Sequence, residues 1–224
     1  MSDPISAPHR RHLLGGIATI GAATGLAQLA APGAAATEPA KPVGAFGQWL
    51  DSIGGKQRQL FDIPEPNEGF GLIWSFVFLL TGPDAFGVPE HELGVVVVMR
   101  HNGIPLALND AMWSKYRLGA FFKLTDPATK TPATRNFFVN SKPGDLVVPD
   151  AALDRLLARG VKAGACNMAI TVLGGAVAKQ QGLAPDAVRR DWIANLVPGV
   201  QLVPSGIVAI NGAQSRGCGY CFAG

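Results

Sequence analysis

Three cysteines are the residues of this chain best suited to chemistry. Cys166 ends the stretch Val161-Lys162-Ala163-Gly164-Ala165-Cys166, and a run of small residues with helical character starts at Asn167. A strand that passes into a helix at a cysteine puts the thiol at the strand's carboxyl end. That is where open α/β sheets bind ligands. The free N–H groups and partial positive charge of a helix N-terminus favour thiolate over thiol. Thiolate is the form needed for nucleophilic attack or for carrying sulfane sulfur. The same position equally suits a small buried core residue, the usual place of a free cysteine.

Cys218 and Cys221 form a C-x-x-C within Arg216-Gly217-Cys218-Gly219-Tyr220-Cys221. Three readings stay open: a redox-active or bridging pair, a structural disulfide, or idle thiols. On an extended strand the two lie roughly 10 Å apart, beyond the ~7 Å Cα limit of a disulfide, unless the glycines make a turn. Cys166 could instead pair with one of them across neighbouring strands. Phe222 stands where a c-type haem site needs histidine.

Arg100-His101 follow the most apolar stretch of the chain and would sit at another strand's carboxyl end. His101 suits an acid/base or ligand role and Arg100 an anion contact. Asn167, at the helix start, joins them as a candidate ligand contact; a loop histidine satisfied by backbone is the alternative for His101. His91, in Pro89-Glu90-His91-Glu92, reads as a solvated turn residue. Three cysteines and His101 could make a Cys3His zinc site, but only the C-x-x-C spacing supports one, so no metal and no cofactor is expected. The region after residue 36 has no G-x-S-x-G, Walker loop, H-E-x-x-H or G-x-G-x-x-G, leaving serine hydrolase, nucleotide hydrolase, zincin and dinucleotide enzyme without support.

These residues need a scaffold, and the apolar pattern outlines one. Residues 93–99, Leu-Gly-Val-Val-Val-Val-Met, do not alternate with polar residues, so the strand is buried on both faces, as in a parallel sheet covered by helices. Residues 161–166, 200–204 and 220–222 read as further strands, and residues 59–63 as a short strand or an extended lead-in. Residues 70–80, 108–122, 150–159, 167–181, 185–196 and 206–215 read as helices, with Asn109 or Asp110 as one N-cap and Asp150 as another. Strands alternating with helices imply crossover connections and a mainly parallel α/β sheet. Residues 125–149 are too long for an ordinary connection and read as a lid or a partner arm.

The second half resembles the DsrE/DsrF-like family, small α/β proteins of sulfur chemistry, and within it an exported branch. The resemblance covers residues 56–224. It rests on residues 160–169 (Gly-Val-Lys-Ala-Gly-Ala-Cys-Asn-Met-Ala), Leu196-Val197-Pro198-Gly199-Val200, residues 202–214 with their Val203-Pro204-Ser205-Gly206 turn, and residues 107–113. It implies a doubly wound three-layer sheet, homo-oligomers, and a cysteine that carries sulfur as a persulfide. A sulfur-donor or redox protein would be the partner. In a reading as a sulfur or thiol protein Cys166 is the reactive thiol, with Cys218 and Cys221 as resolving or relay partners.

Residues 1–36 read as an address. Arg10-Arg11, a mildly apolar stretch and Ala34-Ala35-Ala36 follow the order of an export signal, and the paired arginines resemble a twin-arginine signal. Cleavage after Ala36 would release a periplasmic or otherwise exported protein with no membrane association; a retained anchor is the alternative. Residues 37–55 read as an arm or linker, with a short helix or arm around Phe46, Trp49 and Leu50. The composition, 48% apolar with a net charge of +3 and no basic stripe, suits a folded globular domain and gives no support for nucleic-acid binding. The residues thus leave two functions: sulfur or thiol chemistry at Cys166, or a non-catalytic oligomeric module binding a small ligand at the strand ends.

Overall fold

The computed structural model describes residues 43–224. Arg10, Arg11, Ala36 and the expected export signal lie outside the described residues. Five strands, β1 (Gln57–Ile63), β2 (Leu93–Met99), β3 (Lys162–Cys166), β4 (Val200–Val203) and β5 (Gly219–Phe222), form one sheet in the order β4-β3-β2-β1-β5. Every pairing is parallel.

The double burial of β2 is visible residue by residue. Val95, Val97 and Met99 belong to one apolar core, and Val96 and Val98 to a second core on the opposite face. The first face is covered by α2 (Phe70–Phe86), α3 (Asp110–Tyr116), α4 (Leu118–Phe121), α5 (Leu153–Ala158), α6 (Asn167–Gln181) and α7 (Pro185–Ala194). The second face is covered by α1 (Gly44–Asp51) and α8 (Gly206–Gln214). The fold is therefore a three-layer α/β sheet with helices on both sides. Residues 43–51 are an integral part of it: Trp49 and Leu50 of α1 are buried in the second core beside Val203 and Ala209. Residues Asn67–Phe86 are long and apolar enough to cross a membrane by length and composition, and here Leu72 and Leu79 of that stretch pack into the first core.

Several boundaries differ from the sequence expectation for local reasons. Residues 108–122 do not form one helix. Asn109 caps α3 by accepting the Met112 N–H, but Arg117 adopts a left-handed conformation (φ 51°, ψ 45°) and splits α3 from α4. Asp150 does not cap α5. It sits in a 3-10 turn, Pro149–Ala151, and pairs with Arg155 at 2.8 Å. Residues 125–148 carry no helix or strand but are tied down by polar side chains. The buried Asn136 amide donates to the Leu106 and Leu108 carbonyls at 3.0 and 2.7 Å, and Phe137 and Phe138 enter the first core.

Candidate functional site at the ends of β3 and β4

The chain passes from β1 through β4 in spatial order with its connecting helices on the first face, then returns through α8 on the second face to β5 at the opposite edge. The outgoing connections of neighbouring strands β3 and β4 thus leave on opposite sides, α6 on one and α8 on the other. Such a divergence opens a crevice beyond the strands' carboxyl ends. A cavity of about 290 Å³ lies there, lined by Arg100, His101, Cys166, Met168, Ala169, Val172, Leu173, Ser205, Gly206 and Ile207. Cys166, Arg100 and His101, taken from sequence as site residues, therefore share one cavity.

Cys166 is the last residue of β3 and the N-cap of α6. Its Sγ accepts the Ala169 N–H at 3.3 Å, which places the sulfur where a helix presents its free donors. Across the crevice Ser205 caps α8 by accepting the Val208 N–H at 3.2 Å. Gly206 is required by close approach: a Cβ there would lie 2.7 Å from the Cβ and Cδ of Arg100. The arginine stem runs against the start of α8. His101 has φ 51°, stands exposed, and opens the 3-10 helix His101–Ala107 that crosses the top of β2.

Arg100 has a partner that the sequence reading missed. Asp62 on β1, 1% exposed, accepts Arg100 Nε at 2.7 Å and Nη2 at 2.9 Å. Tyr220 on β5 donates its hydroxyl to the same carboxylate at 2.8 Å. The Asp62 hydrogen bond holds the guanidinium's pKa above its ordinary value, although burial opposes this. Burial, followed by the bond to Asp62, pushes the Tyr220 phenol up. The signal was present in the sequence as a lone acid in the apolar strand Leu60-Phe61-Asp62-Ile63. A carboxylate in a strand of that kind needs a buried counter-charge.

The remaining predicted residues lie elsewhere. Asn167 is outside the cavity lining, and its Oδ1 accepts Arg189 Nη2 at 2.7 Å. Cys218 and Cys221 are at the far edge of the sheet, and all three cysteines are free thiols. Cys218 packs in the second core, where burial raises its pKa, whereas Cys221 packs against the first. The C-x-x-C thiols are thus on opposite faces, as i and i+3 in an extended strand require. β3 and β5 are separated by β2 and β1, three strand spacings or about 14 Å. One copy of the chain does not bring Cys218 or Cys221 to Cys166. Among the described residues no cluster of three His, Cys, Asp or Glu could hold a metal ion.

No family model and no curated protein matches the chain. Among solved structures it is similar to a protein of unknown function from Methanobacterium thermoautotrophicum. The two share 18% identity at a TM-score of 0.39, with 75% of this chain and 99% of that chain covered.

Proposed function

We propose that this is an exported, DsrE-like protein of sulfur chemistry that carries sulfane sulfur on Cys166. The observation that supports this most directly is the placement of the Cys166 sulfur at the start of α6, on the wall of the cavity between the diverging helices. In the transfer step the Cys166 thiolate attacks the outer sulfur of a low-molecular-weight persulfide, R–S–SH. The thiolate's electron pair forms the new S–S bond and the donor's S–S bond breaks. Its electron pair leaves with R–S⁻, so no external oxidant or reductant is consumed. The Ala169 N–H donates to the Cys166 sulfur at 3.3 Å and fixes it at the start of α6, facing the cavity. Cys218 and Cys221 have no part in this first step within one chain; a role for them would require a second copy or a partner protein.

The test is intact-mass spectrometry of reduced protein incubated with a small persulfide donor, followed by peptide mapping. Wild type should gain one sulfur atom, mapped to Cys166. Cys166→Ser should gain none there, while Cys218→Ser and Cys221→Ser should behave as wild type. A folded wild-type protein whose Cys166 peptide stays unmodified would overturn the reading. The second function, a non-catalytic binding module, draws on the cavity's largely hydrocarbon walls and would then be preferred.

A further inference from the structure

Resting on the reading that Cys166 is the reacting group, we propose that its cavity selects a persulfide donor whose body R is uncharged hydrocarbon, alkyl or aryl, over one whose body carries a charge, and that Asp62 sets this preference by cancelling the charge of Arg100.

The cavity is at the small end of the range for ligand sites, about 300–1,000 Å³. Its walls are hydrocarbon from both helices: Met168, Val172 and Leu173 from α6, and Ile207 from α8. Met168, Val172 and Ile207 are 55%, 64% and 65% exposed, an unusual outlay of apolar surface around one opening. Of the polar groups on the lining, His101 stands exposed at the opening, and the others are largely committed. Ser205 Oγ caps α8, and two arms of the Arg100 guanidinium are spent on Asp62. A carboxylate or sulfonate entering here would give up water against apolar walls and meet an arginine whose charge is neutralised 2.7 Å away. A hydrocarbon group loses nothing on the same path and gains burial.

Methanethiosulfonates test this at Cys166 itself. Each forms a disulfide from Cys166 Sγ to the reagent's thio group while the reagent's S–S bond breaks. Methanesulfinate leaves with the electron pair, and the thiol proton goes to solvent. Rates for the benzyl, 2-sulfonatoethyl and 2-trimethylammonioethyl reagents are followed by peptide mapping and divided by each reagent's rate with a small free thiol in solution. The benzyl reagent's normalised rate should exceed both charged ones by at least about tenfold, the scale of discrimination available to an apolar pocket. Val172→Glu and Ile207→Glu, on exposed positions of the wall, should shrink the benzyl reagent's margin over the trimethylammonioethyl reagent, because the new carboxylate attracts a cation. Asp62→Asn, which leaves Arg100 uncompensated, should raise the sulfonate's rate relative to benzyl. Val172→Lys should move the sulfonate the same way if Asp62→Asn fails to fold. Equal normalised rates for the three reagents, all above the free thiol, would overturn this selectivity and leave Cys166 as the reacting group. A sulfonate rate unmoved in folded Asp62→Asn would overturn the role of Asp62. Rates at Cys166 no faster than the free thiol for every reagent would overturn the sulfur-carrier reading as well.

Discussion

Asp62 and Arg100 are held together by two parallel hydrogen bonds, Nε to Oδ1 at 2.7 Å and Nη2 to Oδ2 at 2.9 Å, between the interior of β1 and the residue just past β2. The carboxylate is almost wholly out of water, so its stability depends on that pairing. Asp62→Ala would leave the partly buried guanidinium without its partner. It should lower unfolding free energy by about 3–5 kcal/mol, the cost of breaking a buried ion pair from one side. Tyr220→Phe removes one bond to the same carboxylate and should cost about 1–2 kcal/mol, since the tyrosine is half exposed. Urea midpoints measure both. An Asp62→Ala midpoint equal to wild type would show that the pair contributes nothing.

The chain has only two tyrosines, and both phenols are shifted upward. For Tyr116 the causes are burial and then the hydroxyl's bond to Asp191, 2.6 Å away; for Tyr220 they are burial and then the bond to Asp62. A phenol raised above its unfolded value contributes stability that is fully present below that value. The contribution is lost as pH rises through the folded one. Ultraviolet titration should therefore show no tyrosine ionising at the ordinary value of 10.0 in the folded protein, and stability should fall above it. A normal titration of either phenol would contradict its hydrogen bond to carboxylate.

The central strand was readable because its burial on both faces removes the alternation that would otherwise mark a strand, leaving Val95-Val96-Val97-Val98 as an unbroken run. Cys166 was readable because strand end and helix start meet at one residue. Two kinds of feature were hidden. Arg117 breaks a helix by its backbone conformation, which no glycine or proline announces. Tyr220 reaches Asp62 across a sheet edge whose order, with β5 beside β1, is set by the long return through α8 and not by any local pattern. The same return explains why the C-x-x-C, expected from sequence to answer to Cys166, is far from it in space.

That separation predicts the oxidation chemistry. Mild oxidation of the folded chain should yield no Cys166–Cys218 or Cys166–Cys221 disulfide within one copy, because about 14 Å far exceeds the ~7 Å Cα limit. Cys218, just before β5, and Cys221 within it pack on opposite faces of the sheet and should not join either while the strand is paired to β1. Non-reducing peptide mapping of monomeric and cross-linked fractions separates these outcomes. An intrachain Cys166–Cys221 peptide from folded protein would show that β5 leaves its place beside β1.

Arg135 organises the long segment between α4 and α5. Its Nη1 and Nη2 donate to the two oxygens of Asp145 at 2.7 and 2.6 Å, and its Nε to Asp126 at 2.8 Å. The arginine's hydrogen bonds lower the pKa of Asp145 despite its burial. Burial pushes Asp126 up, but the Ala128 N–H, Arg135 and the Thr129 N–H together bring it below its ordinary value. Carboxylates lowered on folding contribute stability above the unfolded value of 3.8 and lose it as pH falls through the folded ones. The segment carrying Phe137 and Phe138 should therefore loosen below about pH 4. Arg135→Gln should cost about 3–5 kcal/mol near neutral pH by leaving two buried carboxylates without their cation. It should also flatten the acid dependence, because the pairing that lowered both acids is gone. Urea unfolding across the acid range, with tryptophan fluorescence following Trp113 beside Phe137, measures both effects. An Arg135→Gln protein with wild-type stability at neutral pH and the wild-type acid slope would show that the segment is held by its apolar residues alone.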